Sequence, residues 1–524
     1  MLSQQIRTLL TKLADADDAD FSVERPKQAG HGDYASNAAL VLGKKRGVNP
    51  RSLAEGLQEK LAADERFTKV EVAGPGFLNF TLSPAAWQKT VTEILEAGKD
   101  FGRSGKTGKK VQVEFISANP TGPLTLASGR GGYGGDVLAN VFDRAGHAVE
   151  REYYLNDIGN QITELGKSVL ADGPGERSYQ GDYVTELKRF VKEKQDHQVA
   201  GQQAAAAQAK QIKETVARTG IEFDTWFSES KELHQKGEIE RTLRDLERIN
   251  AAYEKDGALW LKTTHHDDDK DRVLRKSDGL LTYFAADIAY HYHKLQKRKF
   301  DLAIDIWGAD HHGYVKRMQA GVEFLRQAEH FEGKLEIIIT QMVRLIRGGK
   351  EVKMSKRAGT YVALDELLDE VPSDVARFFF VMRGWDTHMD FDLDLAKEES
   401  QKNPVYYLKY AYARVSGILR KAGKDAGKKD ADLSKLTDPA EFALIQKLSE
   451  FPEVIRQTAA DYQVQRVPHY ALGIADTFHK FYEQCRVVSD DRAQTAARLR
   501  LVEATKLVLE QVGATIGIEL PEEL

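Results

Sequence analysis

Two short stretches of this chain carry residue types that could do phosphate chemistry. In RGGKEVKMSKRAGTYV (347–362), Lys350, Lys353, Lys356 and Arg357 crowd a glycine-rich segment that follows an apolar run. Lysines supply point charges and glycine lets the backbone approach a ligand, so such a loop can close over a polyphosphate. A solvated basic loop has the same charge, and counting charges does not separate the two. The second stretch, SANPTGPLTLASGRGGYGGD (117–136), joins a predicted strand to a predicted helix through Pro and Gly. In a doubly wound sheet the first crossover is where a nucleotide meets a helix N-terminus. A glycine-rich stretch alone is a weak signal. A third stretch, His265–Asp271 (HHDDDKD), has metal-ligand residue types, but so many neighbours in a row cannot all face one ion, and it reads as a solvated loop.

The elements around these stretches can be placed. VQVEFI (111–116) alternates like a strand, the segment to about Phe142 is a helix bearing small residues, and EREYYLND (150–157) is a second strand. Strand, crossover helix and strand form a βαβ unit. Residues 160–255 are rich in Ala, Gln and Lys and read as a helical insertion outside the sheet. LLTYFAADIAYHYHKL (280–295) runs from a strand end into a helix, DLAIDIW (301–307) is a strand that stops at GADHHGYVKRM, and LEIIITQMVRLI (335–346) is the next apolar strand region. After Pro372 the pattern is helical almost to the end, interrupted by the basic loop KAGKDAGKKDAD (421–432). Before Val111, a helix with Leu2, Ile6, Leu9, Leu10 and Leu13 on one face precedes a second helix and two strands around Gly74-Pro75-Gly76. The fold class is therefore α/β: a doubly wound, Rossmann-type parallel sheet (106–387), with an N-terminal α+β domain (1–105) and a C-terminal all-α bundle (388–524).

Composition agrees with a folded multidomain enzyme. The chain has 524 residues, 41% apolar and 30% charged, too long for one ordinary domain. No apolar run approaches the ~20 residues that cross a bilayer, and the N-terminus does not resemble a secretory signal. The single cysteine, Cys485, excludes an intrachain disulfide and reads as a buried thiol in a reducing, cytoplasmic compartment. A net charge of −5 argues against binding nucleic acid over the whole surface, but not against local basic patches.

The tetrad Lys353-Met354-Ser355-Lys356 is identical to the KMSK signature of class I aminoacyl-tRNA synthetases. SANPTGPL (117–124) resembles the lead-in to the second class I signature in arginyl-tRNA synthetases. Further similar segments follow that family's order: GDYASN (32–37), YYLNDIGNQI (153–162), SDGLLTYFAADIAYH (277–291), WGADHHGYVKR (307–317), NPVYYLKYAYAR (403–414) and FHKFYEQCR (478–486). The resemblance spans nearly the whole chain. It implies ATP-dependent activation of L-arginine, with Mg2+ accompanying the nucleotide, and transfer to tRNA(Arg) by a cytoplasmic monomer.

The same resemblance assigns residues. Glu114, Tyr283 and Asp287 face the guanidinium, with Tyr283 and Asp287 four apart on one helical face. Ser117 and Asn119 hold the α-amino and carboxylate end, and His311 lines the same cleft. Pro120, Gly122, Ala127, Gly129, Gly308, Asp310 and Met354 contact ATP. Lys353, Ser355, Lys356, Thr125, Ser128 and Arg130 act on the phosphates. No residue is assigned to a dedicated metal site. The C-terminal bundle reads the anticodon region, where Tyr406, Tyr407, Tyr410 and Tyr412 could stack on bases or simply fill a core. The N-terminal domain meets the outer corner of the tRNA.

One departure stands out. The family has His-x-Gly-His after the Pro-Leu; here the four positions are Thr125, Leu126, Ala127 and Ser128. Losing a transition-state donor outright costs on the order of 3 kcal/mol, and Ala127 in place of glycine crowds the adenine. Either the lysine loop and Arg130 carry more of the phosphate charge in an active enzyme, or activation is lost and tRNA or arginine binding kept. A third reading, a ligase for another amino acid, is opposed by Asp287 and Glu114, a matched pair for a cation, although a lysine-like substrate would also satisfy two carboxylates.

Overall fold

The computed structural model describes residues 2–16, 21–26, 30–173, 177–192, 196–266, 268–352, 362–423 and 430–524. Lys353, Met354, Ser355, Lys356 and Arg357 lie outside the described residues, as does part of the loop at 421–432.

Five parallel strands form the central sheet, in the spatial order Lys334–Thr340, Leu302–Gly308, Lys110–Glu114, Ala148–Leu155, Thr225–Ser228. The chain builds one half outward from the central strand Lys110–Glu114, then returns to its other side at Leu302–Gly308. This reversal is the doubly wound topology, and it leaves a crevice at the carboxyl ends of those two neighbouring strands. Glu114 pairs in register with both Glu152 and Asp305. The central strand is buried on both faces, as a parallel sheet requires: Val111, Gln112, Val113 and Glu114 are all buried. The predicted alternation therefore does not mark a wet face. Its polar residues bond internally instead, with Gln112 donating to Glu152 at 2.7 Å.

The crossover helix Leu126–Arg144 owes its glycines to close packing. A Cβ on Gly135 would lie 2.4 Å from the Phe115 ring, and one on Gly134 would lie 2.3 Å from Trp385. The helix thus sits flush between the sheet and the elements that follow it.

Two predicted segments divide differently. Residues 160–255 do contain the helices Asn160–Leu170, Asp182–Leu187, His197–Arg218 and Glu238–Arg248, but they also contain Thr225–Ser228, the edge strand of the sheet. Four residues are too few to announce a strand by period. The apolar run at 335–346 is two strands: Lys334–Thr340 ends the central sheet, and Val343–Arg347 starts a small separate one with Lys350–Val352 and Met389–Asp392. The basic loop therefore follows this small sheet and not the nucleotide-binding sheet itself.

At the N-terminus, four antiparallel strands (Val23–Glu24, Tyr34–Ser36, Phe77–Leu82, Phe67–Ala73 in spatial order) carry the helices Leu2–Leu13, Ala38–Arg46 and Pro50–Leu61. The C-terminal bundle comprises Pro404–Ala422, Pro439–Ser449, Phe451–Asp461, Arg466–Gln484 and Arg492–Ile516. Arg25 joins the two ends of the chain, donating to the Gln446 carbonyl at 2.8 Å and pairing with Glu450 at 3.0 Å. Among the described residues no helix is long and apolar enough to cross a membrane.

Candidate active site

The loop leaving the central strand is strained and tightly held. Ile116 and Ser117 both adopt left-handed backbone, with φ of +67° and +40°. A β-branched residue there is a conformational outlier that persists only when its surroundings impose it. The second strand does so: Tyr153 donates its hydroxyl to the Ala118 carbonyl at 2.7 Å, and Ser117 Oγ accepts from the Tyr154 amide at 3.0 Å. Asn119 donates to Gln161 at 2.6 Å. The loop borders a cavity of about 600 Å³ lined by Asn119, Gly122, Thr125 and Ser128, with Tyr179 and Tyr183 of the helical segment on the opposite wall.

Thr125 and Ser128, which stand where the family has histidines, lie at the start of the crossover helix. The Thr125 amide donates to Ser128 Oγ at 3.3 Å. Thr125 also bridges to Ala363, and the Leu364 amide donates to the Leu124 carbonyl at 2.8 Å. Residues 362–364, which leave the basic loop, are thereby fastened beside the altered signature. Ala127 is exposed on the first turn, while Pro120 is buried beneath the loop.

Two residues assigned to the ATP site, Arg130 toward the phosphates and Gly129 as a nucleotide contact, are placed elsewhere. Arg130 is 2% exposed and its guanidinium donates to the carbonyls of Gln341 at 3.0 Å, Gly384 at 2.6 Å and Thr387 at 2.7 Å. With both terminal nitrogens bonded to main-chain carbonyls, it clamps the elements behind the helix and is turned away from the cavity at Thr125 and Ser128. Gly129 is covered: a Cβ there would lie 2.9 Å from Leu364 and 3.3 Å from Phe380. Its small size serves packing, not an approaching nucleotide.

At the switch point the helix Tyr283–Tyr292, capped by Thr282 accepting from the Ala285 amide, faces the strand ends. Tyr283 is half exposed, and its hydroxyl lies 3.5 Å from where a Cβ on Gly159 would be. Asp287 lies one turn further, accepting from the Tyr314 hydroxyl at 2.6 Å. Burial pushes the Asp287 carboxyl up to about 6; the Tyr314 bond opposes this, and the charges of Glu229 and Glu114 add to it. Glu229 is 3% exposed and faces His234 Nε2 at 3.1 Å. Gly308 ends the strand Leu302–Gly308, and Asp310 and His311 sit on the turn after it, with both side chains open to solvent and 3.5 Å apart.

Glu114 is not an open ligand on all sides. Its Oε2 accepts from the Tyr290 hydroxyl at 2.8 Å and from the Lys294 ammonium. Lys294 is fully buried and also donates to Asp305 at 2.8 Å. His291 faces Asp305 through one ring nitrogen at 2.6 Å and the Asp287 carbonyl through the other at 2.6 Å. Lys294 and His291 hold the Asp305 carboxyl below its usual range although burial raises it. Tyr290, His291, Lys294, Asp305, Tyr314 and Glu229 are absent from the sequence-based assignment. A signal existed for two of them, because Tyr290 and Lys294 continue the face begun by Tyr283 and Asp287 at helical spacing.

Among the described residues no group of His, Cys, Asp or Glu could hold a metal by itself. The run at 265–271 is drawn into local bonds, with Asp268 accepting from Arg272 at 2.7 Å and Asp271 from Tyr253 at 2.9 Å. In the bundle, Tyr412 is core and donates to Glu510 at 2.8 Å, whereas Tyr410 and Tyr482 flank the Arg414 guanidinium at 4.6 and 4.9 Å.

Residues 1–82 match the family described as arginyl tRNA synthetase N terminal domain, residues 182–378 that of the catalytic domain of class I (R) tRNA synthetases, and residues 408–524 that of the DALR anticodon binding domain. The chain is 42% identical over 534 residues to the arginine–tRNA ligase of Carboxydothermus hydrogenoformans, covering 97% of this chain and 95% of that protein. It is 41% identical to the arginine–tRNA ligase of an Azoarcus species, covering 100% and 99%. Its fold is that of the Thermus thermophilus arginyl-tRNA synthetase, with a TM-score of 0.78 over 100% of both chains at 21% identity.

Proposed function

The chain belongs to the arginyl-tRNA synthetases and is an arginine–tRNA ligase, and on that premise we propose how its cleft activates arginine. The observation that carries the reading is electrostatic. Asp287 is half-buried and its carboxyl is pushed up to about 6, first by burial and then by the charges of Glu229 and Glu114, so a cationic group beside it would be drawn to its carboxylate form. A guanidinium supplies that charge in planar form with donors to more than one acceptor. Tyr283, Asp287 and the outer oxygen of Glu114 receive it; Ser117 and Asn119 receive the amino and carboxylate end, with His311 at the rim.

ATP enters with Mg2+ as part of the nucleotide substrate and lies along Gly122, Thr125, Ala127 and Ser128 toward Gly308 and Asp310. The arginine carboxylate attacks the α-phosphorus, a new carboxyl–phosphate bond forms, and pyrophosphate departs with the electron pair. Lys353 and Lys356 stabilise the charge gathering on the leaving phosphates, with Met354 and Ser355 beside them. Thr125 and Ser128 supply neutral donors where relatives have histidine. Catalysis is positioning and electrostatics, with no covalent intermediate on the protein. The terminal ribose hydroxyl of tRNA(Arg) then attacks the adenylate carbonyl and releases AMP. The bundle holds the anticodon region and residues 1–105 the outer corner of the tRNA. The protein acts as a cytoplasmic monomer.

The altered signature favours one rival, a protein that binds tRNA but no longer activates arginine. Pyrophosphate exchange with arginine, ATP and tRNA(Arg) separates the two. Arginine-dependent exchange is expected; its absence under all conditions, with tRNA binding retained, would leave the rival standing.

A further inference from the structure

Lys294 is an internal ammonium at the floor of the amino acid pocket. It is 0% exposed and donates to Glu114 Oε2 and to Asp305 Oδ1, and its nitrogen lies 4.2 Å from the centre of the Tyr290 ring. The surrounding charge is nearly matched: Glu114, Glu152 and Asp305 face Lys294 and Arg298. A buried ammonium is tolerated only when paired in this way, and no step of the activation chemistry uses it.

Its placement bears on substrate choice. Both bonds to Glu114 fall on Oε2, and the Glu114 side chain as a whole is 5% exposed. A substrate ammonium is a compact point charge that would seek the oxygen Lys294 already occupies, and would meet a like charge there. A guanidinium spreads its charge over a planar fork and can bond the second oxygen from the side. We infer that Lys294, with Tyr290, positions Glu114 so that the pocket accepts a guanidinium and rejects an ammonium; in effect the protein excludes lysine by carrying one. This rests on the arginine reading above.

The test is Lys294→Met in the full chain, assayed by tRNA-dependent pyrophosphate exchange with arginine and with lysine. The KM for arginine is expected to rise about tenfold with the KM for ATP within about twofold, and the arginine-to-lysine preference in kcat/KM to fall about tenfold or more. An unchanged arginine KM and preference, with only a lower melting temperature, would make Lys294 a purely structural ion and overturn the inference. Should that variant fail to fold, Tyr290→Phe keeps the ring and removes one of the two bonds holding Glu114. It is expected to raise the arginine KM about threefold with the KM for ATP unchanged, at a temperature where the variant is folded, and no rise in the arginine KM would overturn the inference. Wild-type protein is measured alongside: a wild type without arginine-dependent exchange would remove the arginine reading itself, whereas an active wild type matched by its variant removes only the role of Lys294.

Discussion

Asp287 provides a prediction with a definite sign. Its carboxyl is pushed up to about 6 by burial, against an ordinary value of 3.8, so the folded protein holds it protonated only below about pH 6. A carboxyl raised by about two units costs the fold about 3 kcal/mol when forced to ionise. The unfolded chain ionises near 3.8 and the folded one near 6. The cost is therefore absent below about pH 4, grows between pH 4 and 6, and is fully present above. Asp287→Asn should be as stable as wild type at pH 4 and more stable by up to about 3 kcal/mol at pH 8, read as the difference in denaturant midpoints without substrate.

Substrate binding must show the opposite dependence. A guanidinium binds the ionised carboxylate, so below pH 6 arginine has to displace a proton. Its dissociation constant should weaken about tenfold per pH unit from pH 6 toward pH 4 and be flat above pH 7. Calorimetric titration of arginine into the protein from pH 5 to 8 measures this, with proton release detected by repeating the titration in buffers of different ionisation enthalpy. The Asn variant should bind weakly with no pH dependence. An arginine affinity for the wild type that stays flat from pH 5 to 7.5 would refute the reasoning, because it would mean that Asp287 is ionised in the empty pocket or does not meet the substrate.

Three further predictions follow from packing. Arg130→Lys removes the fork that bonds three carbonyls and should cost about 3 kcal/mol in stability; at a temperature where the variant is folded, its KM for ATP should match wild type, and a large rise would return Arg130 to the phosphates. Gly135→Ala places a methyl 2.4 Å from the Phe115 ring and should destabilise by about 2 kcal/mol by thermal melting, despite the better helix propensity of alanine. Cys485 is 1% exposed and burial pushes its thiol up to about 11, so at pH 8 a thiol reagent should label it only as fast as the bundle opens, and labelling without denaturant within seconds would contradict the packing.

Local chemistry made much of the architecture legible. Asn49-Pro50, Ser83-Pro84, Asn403-Pro404 and Asp438-Pro439 each start a helix, and in each the first side chain accepts from the backbone it caps. The strands around Gly74-Pro75-Gly76 and the strand–helix–strand crossover form where their patterns place them. What escaped is non-local. Thr225–Ser228 is a strand because Glu152–Leu155 offers it a parallel edge, and nothing within four residues encodes that. Arg130 stands two residues after Ser128 in sequence, yet points to carbonyls more than two hundred residues away. Glu229 reaches the pocket from the end of that same unannounced strand, which is why spacing could not find it. Lys294, by contrast, was within reach of periodicity: the face through Tyr283 and Asp287 leads to it.

The altered signature can now be placed physically. Thr125 and Ser128 are joined to each other at the helix start, and Thr125 and Leu124 are joined in turn to Ala363 and Leu364. Leu364 also fills the space that a side chain on Gly129 would need. The helix start and the segment leaving the basic loop therefore form one packed unit, held by main-chain bonds and by a glycine too small to obstruct them. Residues here do two things together: they present neutral donors to the cavity and they set where the chain re-enters after the lysines. Any side chain placed at 128 must still accept from the Thr125 amide, or leave that donor without its partner. Hydroxyl groups meet this demand compactly. The hydroxyl of Ser128 thus caps the helix start while main-chain bonds of Leu124 and Thr125 fasten the segment leaving the basic loop, and both are ordered features of the fold.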